Sequence, residues 1–212
     1  MGKGFALRWS QNHDVIVGSR DAERAAGAAA EYADLAKEAF GEIKGSVCGG
    51  DNLSVAQNSD VLVLSIPYEN IDSTCSGILP EIKDGCVVVS PIVPMTKTDV
   101  GFECTAIKEN KPFSYQLVSN HMKDKSKLVS AFHVISEKKL VNPTLELDYD
   151  IFVCGDDGES VRVVNELINE IKGLRPIYLG PTELSYFAEM STPLLLNAMI
   201  KNKIRNPGIK II

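Results

Sequence analysis

The stretch Val15-Ile16-Val17-Gly18-Ser19-Arg20 decides the fold, because it ends a buried strand and turns directly into an alanine-rich helix. In a mononucleotide-binding α/β unit, the residue that closes the second strand meets the adenosine ribose. An acidic residue there accepts hydrogen bonds from the free ribose of NAD, whereas Ser19 and Arg20 offer donors that suit a 2′-phosphate. The stretch therefore predicts NADP selection. The alternative is an ordinary turn followed by an exposed arginine.

Length and charge exclude several classes of protein. The chain has 212 residues and a net charge of −6, from 22 basic and 28 acidic residues spread without long runs. No basic stripe is present to follow a phosphate backbone, so we expect no nucleic-acid partner. No apolar run reaches the roughly 18 to 20 residues that span a bilayer, and no signal peptide is recognisable at the start. We therefore expect no membrane partner and a soluble, cytoplasmic protein.

Cysteine and histidine usage gives no sign of a disulfide framework or a metal site. The five cysteines are odd in number, widely separated and without a C-x-x-C pair, and the three histidines are distant from them in sequence. We expect the cysteines to be reduced and mostly buried, and no metal to be bound.

Short runs rich in valine and isoleucine alternate with helical patterns along the chain, which predicts an α/β fold with a Rossmann-type, doubly wound, mostly parallel sheet. We expect a single domain over residues 1–212, in which 180–212 form a small C-terminal helical part and a docked tail. The predicted strands are 14–17, 43–48 (weaker), 60–65, 86–90, 128–132, 149–154 and 175–179. The predicted helices are 3–11, 21–40, 53–57, 71–79, 114–121, 159–171 and 182–204, with a polar loop over 96–111.

Two proline-containing segments follow predicted strands and mark the ligand edge of the sheet. Ile66-Pro67 ends the clearest buried strand, because proline lacks a donor and keeps the residue before it extended. Pro91-Ile92-Val93-Pro94-Met95 forms a stiff apolar segment after the next strand. Ligands of open α/β sheets bind beyond the carboxyl ends of the strands, so both segments are candidate binding elements.

Eight blocks along the chain resemble the F420-dependent NADP reductases of methanogenic and related archaea. They occur in that family's order and cover essentially the whole chain. The blocks are Gly2-Lys3-Gly4, Val17-Gly18-Ser19-Arg20, Ser65-Ile66-Pro67, Ser90-Pro91-Ile92-Val93-Pro94, Ser130-Ala131-Phe132-His133, Val153-Cys154-Gly155-Asp156-Asp157, Gly173-Leu174-Arg175-Pro176 and Gly208-Ile209-Lys210. The resemblance implies reversible hydride transfer between NADP and the deazaflavin coenzyme F420, small-molecule cofactors as substrates, and a homodimer or larger assembly.

The resemblance also implies contacts to NADP. Gly2 corresponds to the last glycine of the dinucleotide fingerprint, which permits close packing of helix on strand. Ser19, Arg20 and Arg24 correspond to the 2′-phosphate site. The family's contacts on the ribose and pyrophosphate side correspond here to Ile66, Pro67, Tyr68 and Asp72, although an apolar residue can occupy the last of these positions.

On the deazaflavin side, the resemblance implies stacking of nicotinamide and deazaflavin against Pro91, Ile92, Val93, Pro94 and Met95. His133 and Ile135 match residues on this side. Two further positions are not assigned to either coenzyme: Glu137 replaces a small residue of the family, and Pro207 aligns with a family contact to a coenzyme.

One departure concerns the start of the printed chain. Family members carry about a dozen residues ahead of Gly2, with the first strand and a glycine-rich loop whose amides hold the pyrophosphate. We expect a different start site or a truncation to account for the difference.

No side chain is predicted to act as a nucleophile, because both reacting carbons of a hydride transfer between coenzymes belong to the coenzymes. His133 is the one titratable candidate, as a hydrogen-bond partner that orients or tunes the deazaflavin. The alternative is a strand-end histidine that hydrogen-bonds to backbone.

Other features keep two interpretations. Asp156, Asp157 and Glu159 resemble a metal cluster, but stabilisation of a helix start explains them better. Lys123, Lys125 and Lys127 form a solvated turn or attract the anionic tail of F420. The rival functions are an NADPH-dependent reductase of a small imine or acid, of the pyrroline-carboxylate reductase type, and a non-catalytic NADP-binding redox sensor.

Overall fold

Seven of the nine strands form two mainly parallel sheets, and the other two form a hairpin, in a computed structural model that describes all 212 residues. The strands are β1 (Val15–Ser19), β2 (Val47–Asp51), β3 (Val61–Val63), β4 (Val87–Ser90), β5 (Met95–Lys97), β6 (Phe102–Cys104), β7 (Leu128–Ser130), β8 (Tyr149–Gly155) and β9 (Leu174–Gly180). The sheet orders are β1-β2, β3-β4-β7-β8-β9 and β5-β6. All pairs in the first two sheets are parallel except β7 with β8.

The helices lie between these strands and cover them. They are α1 (Gly2–Trp9), α2 (Ala22–Phe40), α3 (Asn52–Asn58), α4 (Ile71–Ile78), α5 (Thr105–Lys108), α6 (Ser114–Asn120), α7 (Glu137–Leu140), α8 (Gly158–Asn169) and α9 (Ser185–Asn202). None of them combines the length and apolar character needed to cross a bilayer.

The two parallel sheets are halves of one layer, because they share both hydrophobic cores. Val15 of β1 and Val61 of β3 pack against one cluster together with Phe5 of α1. Ile16 packs against the second cluster, to which Leu62 belongs. Since β1 bonds to β2 and β3 bonds to β4 on their outer sides, β1 and β3 are the facing members of the layer. The predicted doubly wound α/β fold is confirmed.

The helix after β1 forms where the sequence predicts it. The Asp21 carboxylate caps α2 by accepting a hydrogen bond from the Arg24 backbone N–H at 3.1 Å. Ala25 and Ala29 are buried on the face toward the sheet. A Cβ at Gly49 of β2 would meet backbone atoms of Ala25, so glycine lets this alanine face lie directly on the strand.

The C-terminal tail is bonded to β8 and β9 through Asp150, whose side chain is fully buried. Its carboxylate accepts two hydrogen bonds from Arg175, at 2.8 and 2.7 Å, and one from the Ile211 backbone at 2.6 Å. The Asp150 backbone N–H donates to the Ile209 carbonyl at 2.7 Å. These bonds hold the end of the chain against the sheet.

The loop predicted over 96–111 is wrong, because the segment folds into β5, β6 and α5. Asn197 of α9 stabilises the hairpin from 95 residues away: its amide donates to the Phe102 carbonyl at 2.6 Å, and its side-chain oxygen accepts from the Phe102 N–H at 2.8 Å. A polar sequence without strand alternation thus gains its structure from a distant helix.

Three smaller expectations also need correction. The weak strand predicted over 43–48 lies instead at β2, four residues later in its start, and the strand predicted over 128–132 ends at Ser130. The sequence predicts close packing of helix on strand at Gly2, whereas the tight approach of α1 is at Gly4 and is to helix α7. A Cβ at Gly2 would make only an ordinary contact with Ser65 at 3.6 Å, whereas one at Gly4 would lie 2.6 Å from Leu140.

Candidate functional site

A cavity of about 550 Å³ lies at the carboxyl ends of β1, β2 and β3. Gly18, Ser19 and Arg20 form one wall, and Ile66 and Pro67 form part of another. The structure therefore brings together two elements that the sequence singled out separately, 46 or more residues apart. Parallel neighbours end at the same edge of a sheet, which explains the meeting.

Two arginines, Arg20 in the cavity wall and Arg24 one turn further along the chain, are free to bind an anion. Arg20 and Arg24 are exposed, and neither side chain makes a hydrogen bond or ion pair within the protein. Arg24 does not line the cavity itself, but it lies in the first turn of α2, whose N-terminus favours negative charge. Ser19 Oγ accepts from the Asp21 N–H at 3.2 Å. The arrangement suits a phosphate group bound beside the end of β1.

The remaining wall consists of residues that no sequence pattern singled out as binding residues. These residues come from β2, α3, and the turn and helix after β3: Asp51, Asn52, Leu53, Asn70, Ser73, Thr74, Gly77 and Ile78. One sequence feature points to Asp51, because it closes β2 as Ser19 closes β1, and the two residues are in register. Its carboxylate caps α3 by accepting from the N–H groups of Leu53 and Ser54, at 3.0 and 2.9 Å.

Two predicted contacts lie outside the lining of this cavity. The Tyr68 hydroxyl donates to the Pro112 carbonyl at 2.6 Å. The Asp72 carboxylate lies 2.8 Å from His121 Nε2. Both side chains therefore tie α4 and its entry turn to neighbouring segments.

The apolar segment Pro91–Met95 follows β4 at the same edge of the sheet. Ile92 is buried in the second hydrophobic cluster, whereas Val93 and Met95 are partly exposed. Pro91 and Pro94 are buried and keep the backbone extended. The segment thus offers a stiff, largely apolar surface beside the strand ends.

His133 follows β7 at this edge and is buried with both ring nitrogens unpartnered. Burial lowers the pKa of its imidazole from 6.5 to about 3, so the ring is neutral at physiological pH. The alternative, in which the His133 ring hydrogen-bonds to backbone, is wrong, because neither ring nitrogen has a hydrogen-bond partner in the protein. A ligand group that reaches the ring would satisfy it.

The backbone at His133 is tightly held. Phe132 adopts a positive φ of 69° and is fully buried, packing edge-on against Phe5 and Trp9. On the other side, the Thr192 hydroxyl donates to the His133 carbonyl at 2.6 Å. A bulky residue in the left-handed region is strained and persists only where packing compels it.

Helix α9 brings Thr192 to this place because Glu189 fixes the helix to α6. The buried carboxylate accepts from the backbone N–H groups of Ser114 and Tyr115, both at 2.9 Å. Burial raises the pKa of Glu189 to about 7, while the two hydrogen bonds oppose the shift.

The other predicted coenzyme contacts lie at the start of α1, in the segment from β7 to the first residue of α7, and in the tail after α9. The exposed Glu137 accepts from the Met1 ammonium at 2.8 Å, and the Gly2 N–H donates to Ser65 Oγ at 3.0 Å. Ile135 is buried in the first hydrophobic cluster, and Pro207 is half-buried in the tail.

The acidic residues before α8 serve the helix and its surroundings. Asp157 caps α8 by accepting from the Ser160 N–H at 2.9 Å and pairs with Lys127, also at 2.9 Å. The Asp156 carboxylate accepts from the Thr182 N–H at 3.1 Å. The helix-start interpretation of Asp157 is confirmed.

Named archaeal reductases are similar to this protein over nearly the whole chain. A family model described as "NADP oxidoreductase coenzyme F420-dependent" matches residues 1–94. The F420-dependent NADP reductase of Methanocaldococcus jannaschii is 38% identical over 99% of this chain and 92% of its own length. That of Methanothermobacter thermautotrophicus is 32% identical over 99% of this chain and 89% of its own.

The fold also matches solved structures at low sequence identity. A protein from Arthrobacter sp. FB24 is 16% identical and superposes with a TM-score of 0.68 over 99% of this chain and 95% of that one. At this identity the likeness concerns the fold alone.

Proposed function

The chain belongs to the F420-dependent NADP reductase family, and we propose that it catalyses reversible hydride transfer between NADP(H) and coenzyme F420. The observation that carries the proposal is the cavity shared by Gly18-Ser19-Arg20 and Ile66-Pro67, in a chain 38% identical to a named reductase. Hydride transfer needs two coenzymes held in register and shielded from water, and the protein's contribution is orientation.

We assign the NADP adenosine end to the cavity at β1. The unpaired guanidinium of Arg20, with Arg24 in the first turn of α2, supplies charge for the 2′-phosphate. Ser19 contributes a hydroxyl, and Ile66 and Pro67 form the opposite apolar wall. The residues present therefore fit NADP better than NAD, although Asp51 adds a carboxylate to the same cavity.

The reacting rings belong at the ends of β4 and β7. Val93 and Met95 supply apolar surface that excludes water, on a segment that the buried Pro91 and Ile92 fix to the core. Exclusion of water favours transfer of a hydride over its loss to solvent. His133 is held neutral and orphaned, so it is suited to hydrogen-bond a ring substituent without adding charge. Its role is orientation, and no side chain needs to exchange a proton in the hydride step.

We also propose that the protein is a cytoplasmic homodimer or larger homo-oligomer that uses α9. Apolar side chains are exposed on one face of this helix: Phe187 by 54%, Met190 by 37% and Leu194 by 64%. Such a surface is typical of an interface. The variant L194E should shift the molar mass measured by light scattering toward the monomer. An unchanged mass, or a monomeric parent protein, would refute the use of this face.

The test of the activity is a direct mixing experiment. Adding oxidised F420 and NADPH to the protein should bleach the deazaflavin absorbance, and adding NADP to reduced F420 should restore it. A redox sensor would bind NADPH and leave the band unchanged. An imine reductase would consume NADPH only when a small substrate such as pyrroline-carboxylate replaced F420, and either result would overturn the proposal.

A further inference from the structure

A second cavity, of about 530 Å³, lies where the C-terminal end of α9 meets α7. Lys138 of α7 lines it, together with Lys203 and Arg205 from the turn that follows α9. The apolar part of the wall consists of Met199, Ile200 and Ile204. No acidic residue lines this cavity, in a protein whose net charge is −6.

The three cations of this basic cavity have no partner in the protein, whereas basic residues beside them are engaged. Lys138, Lys203 and Arg205 are exposed and take part in no ion pair or side-chain hydrogen bond. By contrast, the Lys139 ammonium lies 4.9 Å from the centre of the Tyr149 ring, and Lys210 pairs with Asp148 at 2.7 Å. Three uncompensated charges of one sign around one cavity form a local positive field that attracts anions.

The turn that carries two of these cations is held in place. Lys203 and Asn206 have positive φ angles of 56° and 48°, a conformation uncommon outside glycine. The turn is fixed at one end by the Ile204 N–H, which donates to the Met199 carbonyl at 3.1 Å. At the other end, the Tyr149 hydroxyl donates to the Asn206 carbonyl at 3.2 Å. The chain therefore keeps a strained backbone that places Lys203 and Arg205 at this site.

The basic cavity and the proposed deazaflavin site lie along the same helix, α9. Lys138 directly follows Glu137, and Asn206, which also lines the cavity, directly precedes Pro207. By resemblance, Pro207 aligns with a family contact to a coenzyme, and Glu137 stands where the family has a small residue. In addition, α9 reaches from the hydrogen bond between Thr192 and His133 to the cavity at its C-terminal end. An elongated ligand with its ring at His133 can extend along α9 toward the cations.

We propose that this cavity binds the anionic side chain of the deazaflavin substrate, a chain that carries phosphate and carboxylate groups. The proposal rests on the proposed function and adds a second binding subsite to it. The sequence suggests Lys123, Lys125 and Lys127 as cations that attract the anionic tail of F420. The proposed subsite differs, because Lys127 is already paired with Asp157 and none of these three lysines lines the cavity.

The test compares two substrates that differ only in their tail. The triple variant K138Q/K203Q/R205Q should raise the KM for F420 about tenfold, which corresponds to about 1.4 kcal/mol, and leave its kcat unchanged. With a tail-free 8-hydroxy-5-deazaflavin, KM and kcat should equal those of the parent protein. The KM for F420 of the parent, but not of the variant, should rise with salt, because exposed charges are screened. The matched control K123Q/K125Q should leave all constants unchanged.

Each other outcome has a definite meaning. An equal rise in KM for both deazaflavins would show that the substitutions disturb the ring site, and a rise in the KM for NADPH would show that the cations bind the dinucleotide. An unchanged KM for F420 in the triple variant would refute the proposed subsite. A raised KM for F420 in K123Q/K125Q alone would refute it as well. These results all require turnover, so the absence of any F420 reduction in the parent protein would instead overturn the proposed function.

Competition distinguishes the tail from a free inorganic anion. Titration of F420 fluorescence without NADPH should give weaker binding to the triple variant by the same tenfold factor. Millimolar inorganic pyrophosphate should compete with F420 on the parent protein and leave binding of the tail-free deazaflavin unaffected. Pyrophosphate that weakens the binding of both ligands equally would contradict a separate tail subsite.

Discussion

Removing the two free arginines at the end of β1 should abolish the preference for NADPH over NADH. Arg20 and Arg24 have no internal partner, so the double variant R20Q/R24Q breaks no interaction of the unliganded protein. An exposed ion pair is worth up to about 1 kcal/mol, and a hydrogen bond to a charged group more. Two such contacts at about 1 kcal/mol each give about 2 kcal/mol, or roughly a 30-fold loss in kcat/KM for NADPH.

The remaining carboxylate in this cavity makes that value a lower bound. Asp51 lies in register with Ser19 on the neighbouring strand, and without the arginines its charge would oppose a 2′-phosphate. NADH has no such phosphate, so kcat/KM for NADH should stay within a factor of about 2. The assay is steady-state F420 reduction with each nucleotide at constant ionic strength.

The matched control is K37Q, which removes a cation from the last turn of the same helix. Lys37 lies 13 residues after Arg24, or about 20 Å along α2, beyond the Debye length at physiological salt. It should not change either constant. Equal losses for NADPH and NADH in R20Q/R24Q, or no loss for NADPH, would refute the assignment of these arginines to the 2′-phosphate.

Three further substitutions test other parts of the structure. The folded protein keeps His133 neutral with a pKa of about 3, whereas His133 of the unfolded chain binds a proton below about pH 6.5. His133 therefore lowers the unfolding free energy by about 2 kcal/mol between pH 7.5 and pH 5. In urea titrations the variant H133Q should lack this part of the loss, and an unchanged pH dependence would contradict the burial of His133. The Arg8 guanidinium donates to the carbonyls of Leu140, Asn142 and Leu145. The variant R8K should lower the unfolding free energy by about 2 kcal/mol, because an ammonium cannot reproduce the planar arrangement of donors. The control R162Q, at an exposed arginine, should change the unfolding free energy little, and equal effects of the two variants would contradict a special role of Arg8. The variant D150N should lower the unfolding free energy by about 2 kcal/mol, because it weakens the ion pair with Arg175. It should also speed hydrogen exchange at the Ile211 amide, which donates to Asp150. Unchanged protection of that amide would show that other contacts hold the tail.

Local sequence signals were sufficient for the elements that carry their own start and stop residues. Helices α2 and α3, capped by Asp21 and Asp51, form within one residue of their predicted bounds. The valine runs of β3 and β4 form strands, partly buried in β3 and fully buried in β4. A cap and a buried run depend on residues within a few positions, so they can be recognised without knowledge of the rest of the chain.

The failures share one physical cause, which is stabilisation by distant residues. The β5-β6 hairpin depends on Asn197, and Phe132 leaves the strand because the packing of Phe5 and Trp9 compels it. The cavity walls at Asn70, Ser73 and Thr74 likewise come from helix positions that carry no local signature of binding.

For the site, the sequence by itself determined the residue types at each strand end: donors after β1, an apolar proline segment after β4 and a histidine after β7. Only the tertiary structure decided which of these side chains are free. It leaves Arg20 and Arg24 unpaired, pairs Asp72 with His121, and leaves both ring nitrogens of His133 without a hydrogen-bond partner. The chain order fixes what a strand end can offer, but burial and pairing depend on neighbours that are remote in sequence, and those conditions control charge and hydrogen bonding.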